Sequence, residues 1–172
     1  MTTMTETGVT TQVYRVFIKA TPEAIWDAIT DPDFTQRYGY RGRSEYDLRP
    51  GGAFRADASP EMRAMGMPEH LLDGEVVETD PPRRLVQTWR ALWDPEMTAE
   101  GFTRLTWEIE AGDAGIATLT VTHELDAAPK VARQVAGQVP EAGGGWSWIL
   151  SDLKSLLETG SSMEWQPGQN QG

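Results

Sequence analysis

At 172 residues the chain is long enough for one domain with a real hydrophobic core, and 39% hydrophobic with 24% charged residues suits a water-soluble globular protein. A net charge of −11 and a pI near 4.6 argue against nucleic acid or an anionic membrane surface as partner. Having no cysteine excludes disulfides, thiolate metal sites and cysteine nucleophiles; two histidines argue against a histidine-built metal centre, and no run approaches 18 apolar residues.

The N-terminus lacks a basic-then-apolar signal pattern, so a cytoplasmic location without membrane insertion is expected. Residues 1–11 are Thr-rich and aperiodic and read as a flexible leader to a single domain over residues 12–160. Gln12–Ala20 alternates as a strand does, with Tyr14, Val16 and Ile18 on one face and Arg15 and Lys19 on the other. Thr21-Pro22-Glu23 then supplies an N-cap, a first-turn proline and a first-turn acid for a short helix carrying Ile25, Trp26 and Ile29. Asp31-Pro32-Asp33 repeats that signal for a second short helix running to about Arg37. Arg43–Leu48 and Ala53–Ala58 read as a hairpin around the turn Arg49-Pro50-Gly51-Gly52. Ser59–Pro68, with three methionines, two prolines and a glycine, reads as a loop or a flexible flap. Leu71–Thr79 and Arg83–Leu92 are the next strands, separated by Asp80-Pro81-Pro82.

The cleanest alternation follows. Thr103, Leu105, Trp107 and Ile109 oppose Arg104, Thr106, Glu108 and Glu110; then Ala117, Leu119, Val121 and His123 oppose Thr118, Thr120, Thr122 and Glu124. One wet and one covered face is the mark of antiparallel strands. Ala127–Val139 contains a short helix, and Pro140–Gly145 is a loop. Beyond it, Trp146, Ile149, Leu150, Leu153, Leu156 and Leu157 fall on one helix face. Burying each releases about 1.5–3 kcal/mol before ordering entropy is subtracted. Residues 161–172, rich in Gly, Gln and Asn, read as a disordered tail. Consecutive strands with short turns form a meander, and one helix covers only part of a sheet this large unless the sheet curls around it. The fold expected is therefore α+β: a helix-grip arrangement, with a curved antiparallel sheet wrapped around a long C-terminal helix and two short helices after the first strand. Ser147, Ser151 and Ser155 flank the apolar stripe and are expected to leave room for a cavity there.

Several segments, in this order and spacing, carry a resemblance: Thr21–Pro32, Arg49-Pro50-Gly51-Gly52, Gly74–Trp89, Thr118–His123 and Gly145–Glu158. Together they resemble the START-like (SRPBCC) superfamily, in the branch named after the C-terminal domain of the activator of heat-shock protein 90 ATPase. The resemblance spans about residues 12–160. It implies a helix-grip fold with a cavity between sheet and long helix, whose mouth lies near Tyr38-Gly39-Tyr40-Arg41. It transfers no catalytic set.

Candidate ligand-binding residues are Trp26, Tyr38, Tyr40, Gln87, Trp89, Leu105, Trp107, Leu119, Val121, His123, Trp146, Leu150 and Leu153. His123 ends an inward series, where it either orients a ligand and shuttles a proton near neutral pH or is satisfied by one buried hydrogen bond. The tryptophans, Trp93 and Trp148 included, either fill the core or form the stacking walls of a pocket. Gln87 shares the Trp89 face and needs a partner, from a ligand or from backbone. Arg41, Arg43 and Arg55 are surface charges or attract an anionic end of a ligand. Asp57, Glu61, Glu69 and His70 gather acids without a metal-binding spacing, so neither metal nor cofactor is expected. Three functions stay open: a carrier or sensor of a small hydrophobic molecule such as a lipid, polyketide or isoprenoid; a cyclase, dehydratase or hydrolase using His123 as acid–base with Tyr38 or Tyr40; and a chaperone-associated or stress-response module with a protein partner. A monomer or homodimer is compatible with each.

Overall fold

The computed structural model describes residues 11–163. The expected leader, Thr11 apart, and the expected tail beyond Met163 lie outside the described residues. The elements are β1 (Thr11–Ile18), α1 (Pro22–Thr30), α2 (Pro32–Thr35), β2 (Arg43–Tyr46), β3 (Ala53–Asp57), α3 (Pro60–Ala64), β4 (His70–Asp80), β5 (Arg84–Ala91), α4 (Pro95–Glu100), β6 (Thr103–Ala111), β7 (Ala117–Glu124), α5 (Pro129–Val135) and α6 (Gly145–Thr159). All strand pairings are antiparallel, in the order β1-β7-β6-β5-β4-β3-β2. The meander therefore runs from β2 to β7, and β1 adds to its last strand.

Register decides which side chains share a row on the concave face. Gln87, Leu105, His123 and Gln12 stand side by side across β5, β6, β7 and β1, and Leu85, Trp107, Val121 and Tyr14 form the next row. Trp146, Leu150, Leu153 and Leu156 of α6 bury themselves against this face. Leu153, Leu119 and Val121 are wholly buried, so the C-terminal half of the helix seats in solid core. This is the expected α+β helix-grip arrangement.

Helices α1 to α4 start on the same local chemistry. Thr21, Asp31, Ser59 and Asp94 accept a hydrogen bond from the backbone of the first turn, and each is followed by proline. The Ser59–Pro68 stretch is thus no plain loop: Ser59 caps α3, and Met62 packs with Ala58, Leu71, Met67 and Trp93 in a small satellite core. In contrast, α2 stops at Thr35, two residues short of the expected end at Arg37.

One further expectation is corrected. Ser147 and Ser151 face solvent, so they open no space beside the apolar stripe. Residues 160–163 run back along α6. Gly160 caps α6 in the left-handed conformation, its N–H donating to the Leu156 carbonyl, and Met163 N–H donates to Asp152 Oδ1 at 2.5 Å.

Candidate functional site

A cavity of about 170 Å³ opens between the concave sheet and the N-terminal end of α6. Its floor is Trp89, Leu105 and Trp107 from β5 and β6; one side is Tyr46, Phe54 and Ala56 from β2 and β3; the roof is Trp146 and Ile149. The mouth is the Tyr38–Gly42 loop, facing Gln134 and Val135 of α5. Six of the thirteen expected ligand-binding residues meet here: Tyr38, Tyr40, Trp89, Leu105, Trp107 and Trp146. Trp26, Leu119, Val121, Leu150 and Leu153 are buried in packed core away from the space, and Gln87 and His123 stand behind its wall.

The ring walls interlock at right angles. Trp107 meets Trp146 edge-to-face at 5.4 Å, Trp89 meets His123 at 5.0 Å and Trp93 at 6.2 Å, while Tyr46 stacks on Phe54 at 4.7 Å. Behind them, buried polar groups take up the rings' own donors. Trp107 Nε1–H donates to Gln87 Oε1 at 2.9 Å, and Tyr46 OH donates to the same oxygen at 2.8 Å. Trp146 Nε1–H donates to His123 Nδ1 at 3.1 Å, and Tyr38 OH donates to the Ala28 carbonyl at 2.8 Å. The polar atoms of these four rings thus turn into the protein, leaving their carbon faces toward the cavity.

The same network fixes the state of His123. Thr103 Oγ1 donates its one proton to the Trp89 carbonyl at 2.8 Å, so its oxygen accepts from His123 Nε2–H, also at 2.8 Å. Nδ1 must then be the bare acceptor that Trp146 requires. A second ring proton would face the indole N–H, and the ring is wholly buried. Burial accordingly holds the imidazole pKa down at about 3. His123 is thus neutral near pH 7 and stands off the cavity wall. Tyr38 and Tyr40 have their phenol pKa values raised, both chiefly by burial.

The mouth loop is held from α6. Asp152, buried on the apolar side of the helix, accepts Gly39 N–H on Oδ2 at 2.8 Å as well as Met163 N–H on Oδ1. Tyr40 OH donates to the Ala142 carbonyl and accepts Gly145 N–H at 2.9 Å, fastening the start of the helix. Gly145 has to be glycine: its φ is +65°, and a Cβ would stand 2.2 Å from the Val135 carbonyl oxygen. Asp152 is the functional-site residue that sequence reasoning missed. The available signal was a carboxylate at i+3 from Ile149 and i−4 from Leu156, inside the apolar stripe.

Of the three arginines considered for an anionic end, Arg43 pairs with Asp33 at 2.7 Å and Arg55 with Asp57 and Glu45 at 3.5 and 3.7 Å, both outside the cavity lining. Arg41 lines the cavity. His70 Nδ1 bonds Asp57 Oδ1 at 2.6 Å, outside the cavity. Among the described residues, no three His, Asp or Glu side chains group to hold a metal, and no helix is long and apolar enough to cross a membrane.

Comparison with known proteins agrees with this architecture. The structure is similar to CalU16 from Micromonospora echinospora, with TM-score 0.59, 19% identity, 87% of this chain and 77% of that one covered. It is similar to DynU16, encoded in the dynemicin biosynthetic locus, with TM-score 0.64 and 23% identity over 92% of this chain, which spans about half of DynU16. It is also similar to the Aha1 dimer from Colwellia psychrerythraea, with TM-score 0.59, 16% identity, 88% of this chain and 98% of that one covered. No curated protein matches by sequence. The profile of the family described as activator of Hsp90 ATPase homolog 1-like protein matches residues 19–158, and the chain belongs to that family, within the START-like superfamily.

Proposed function

We propose that this protein binds one small molecule with an apolar ring in the cavity at the N-terminal end of α6, as a carrier or sensor. The observation that carries this reading is the orientation of the wall. Gln87, His123 and the Ala28 carbonyl take the polar atoms of Trp107, Tyr46, Trp146 and Tyr38, and the ring faces left over are carbon. Such a surface rewards stacking and burial of an apolar guest. Size narrows the guest. An engineered cavity of about 150 Å³ takes up benzene, so a space of about 170 Å³ suits one substituted ring more than a long lipid or a polycyclic polyketide.

The carrier reading is favoured over acid–base catalysis by the state of the three candidate groups. His123 is neutral behind the wall, and the Tyr38 and Tyr40 phenols are shifted away from neutral pH. Thermal unfolding against a panel of single-ring compounds, read alongside tryptophan fluorescence, tests the reading. A ligand that binds only the native state raises Tm with its concentration, and Trp89, Trp93, Trp107 and Trp146 report its arrival. A saturable Tm rise with quenching is expected from some members. A panel in which none shifts Tm overturns the proposal.

A further inference from the structure

We propose that the ligand carries one acidic group, a carboxylate, which Arg41 receives at the cavity mouth, so that the guest is a single-ring aromatic acid. This rests on the binding reading above and names the guest's chemistry. In a chain with a net charge of −11, the cavity's described lining holds no Asp or Glu, and Arg41 is its one cation. Arg43 and Arg55 lie outside the lining and pair with carboxylates, whereas no carboxylate of the described residues lies within ion-pair distance of Arg41. Its one hydrogen bond among the described residues is from Nη2 to Ser162 Oγ, at 2.9 Å.

Among the described residues, the Nε–H of Arg41 is buried without an acceptor. Leaving a donor of a charged group in that state costs more than an ordinary unmade hydrogen bond, so the arrangement calls for a partner that arrives later. A guanidinium presents its N–H groups as a planar fork that matches a carboxylate. The backbone is committed to the same end. Arg41 has φ of +62°, a conformation that residues with side chains rarely adopt, and Asp152 pins the loop at Gly39, two residues before it. Here the strain holds a charged side chain at the lip of an apolar space. A ring lying against Trp107 and Trp146 would leave its acid at that lip, where it keeps part of its hydration.

Titration calorimetry with phenylacetate and its neutral counterpart phenylacetamide tests the proposal on the wild type, Arg41→Gly and Arg41→Lys. Glycine suits the left-handed backbone, so that variant removes the side chain without straining the fold. The wild type should bind the acid at least about tenfold tighter than the amide, the advantage of one charge-assisted contact. Arg41→Gly should bind the two alike, and Arg41→Lys should keep a smaller preference that fades with added salt. Equal binding of acid and amide by the wild type, or an undiminished preference in Arg41→Gly, overturns the role of Arg41 while leaving the binding reading intact. Binding of neither probe, nor of any other single-ring compound, overturns both.

Discussion

His123 illustrates how a residue's neighbours decide its chemistry. The imidazole is a hub: it accepts from Trp146, donates to Thr103, and through Thr103 is tied to the Trp89 backbone. Each contact suits the neutral ring. Its folded pKa of about 3 lies below the unfolded value of 6.5, so as pH falls the unfolded chain takes up a proton first. The stabilisation is complete above pH 6.5 and is lost progressively toward pH 3. Between pH 7 and 5 the loss from this group is about 2 kcal/mol, at roughly 1.4 kcal/mol per pH unit below 6.5. His123→Gln does not titrate. In urea unfolding, the stability gap between wild type and His123→Gln should therefore shrink by about 2 kcal/mol from pH 7 to pH 5. A gap that stays constant would mean the ring is not held neutral.

At the level of elements, α6 both closes the core and sets the mouth. Asp152 is the link, since one carboxylate takes the N–H groups of Gly39 and Met163 from two separate segments. Asp152→Ala would leave the buried Gly39 donor unsatisfied at about 1–3 kcal/mol and release the exposed Met163 N–H to water, and should lower stability by about 2–4 kcal/mol. Native-state hydrogen exchange at the Gly39 amide should accelerate in that variant, whereas Asp152→Asn, which keeps one acceptor oxygen, should lose less. Unchanged exchange at Gly39 would show that the loop is held by something else. The sheet, α1 and α6 were legible because period-2 and period-3.6 apolar patterns are long there. The starts of α3 and α4 carry the same cap–proline–acid signal as those of α1 and α2, yet no amphipathic run follows them, so only the cap spoke. The cavity was legible as a set of inward aromatics and illegible in position. Periodicity assigns a face, and it does not say which part of the face is filled; Leu150 and Leu153 fill theirs, while Gly145, Trp146 and Ile149 do not.

For the whole molecule, the cavity is a cost that the fold carries. At about 24 cal/mol per Å³, an unfilled 170 Å³ forgoes about 4 kcal/mol of packing, a large share of the 5–15 kcal/mol by which domains are stable. Proteins surrender stability of this size where function needs the space, so filling it should raise stability and remove function together. Ala56 is the place to test this. It lies on the inner face of β3, buried, with its methyl at the cavity wall, and its neighbours Phe54 and Tyr46 already fix the strand. Ala56→Leu adds three carbons to the void without touching Gln87, His123 or Arg41. Recovery of about 1–2 kcal/mol would raise Tm by roughly 2–8 °C in a domain of this size. The same variant should lose at least tenfold in affinity for any ring compound the wild type binds, because guest and side chain compete for one volume. A variant that melts lower and still binds would show that the space beside Ala56 is not where the guest sits.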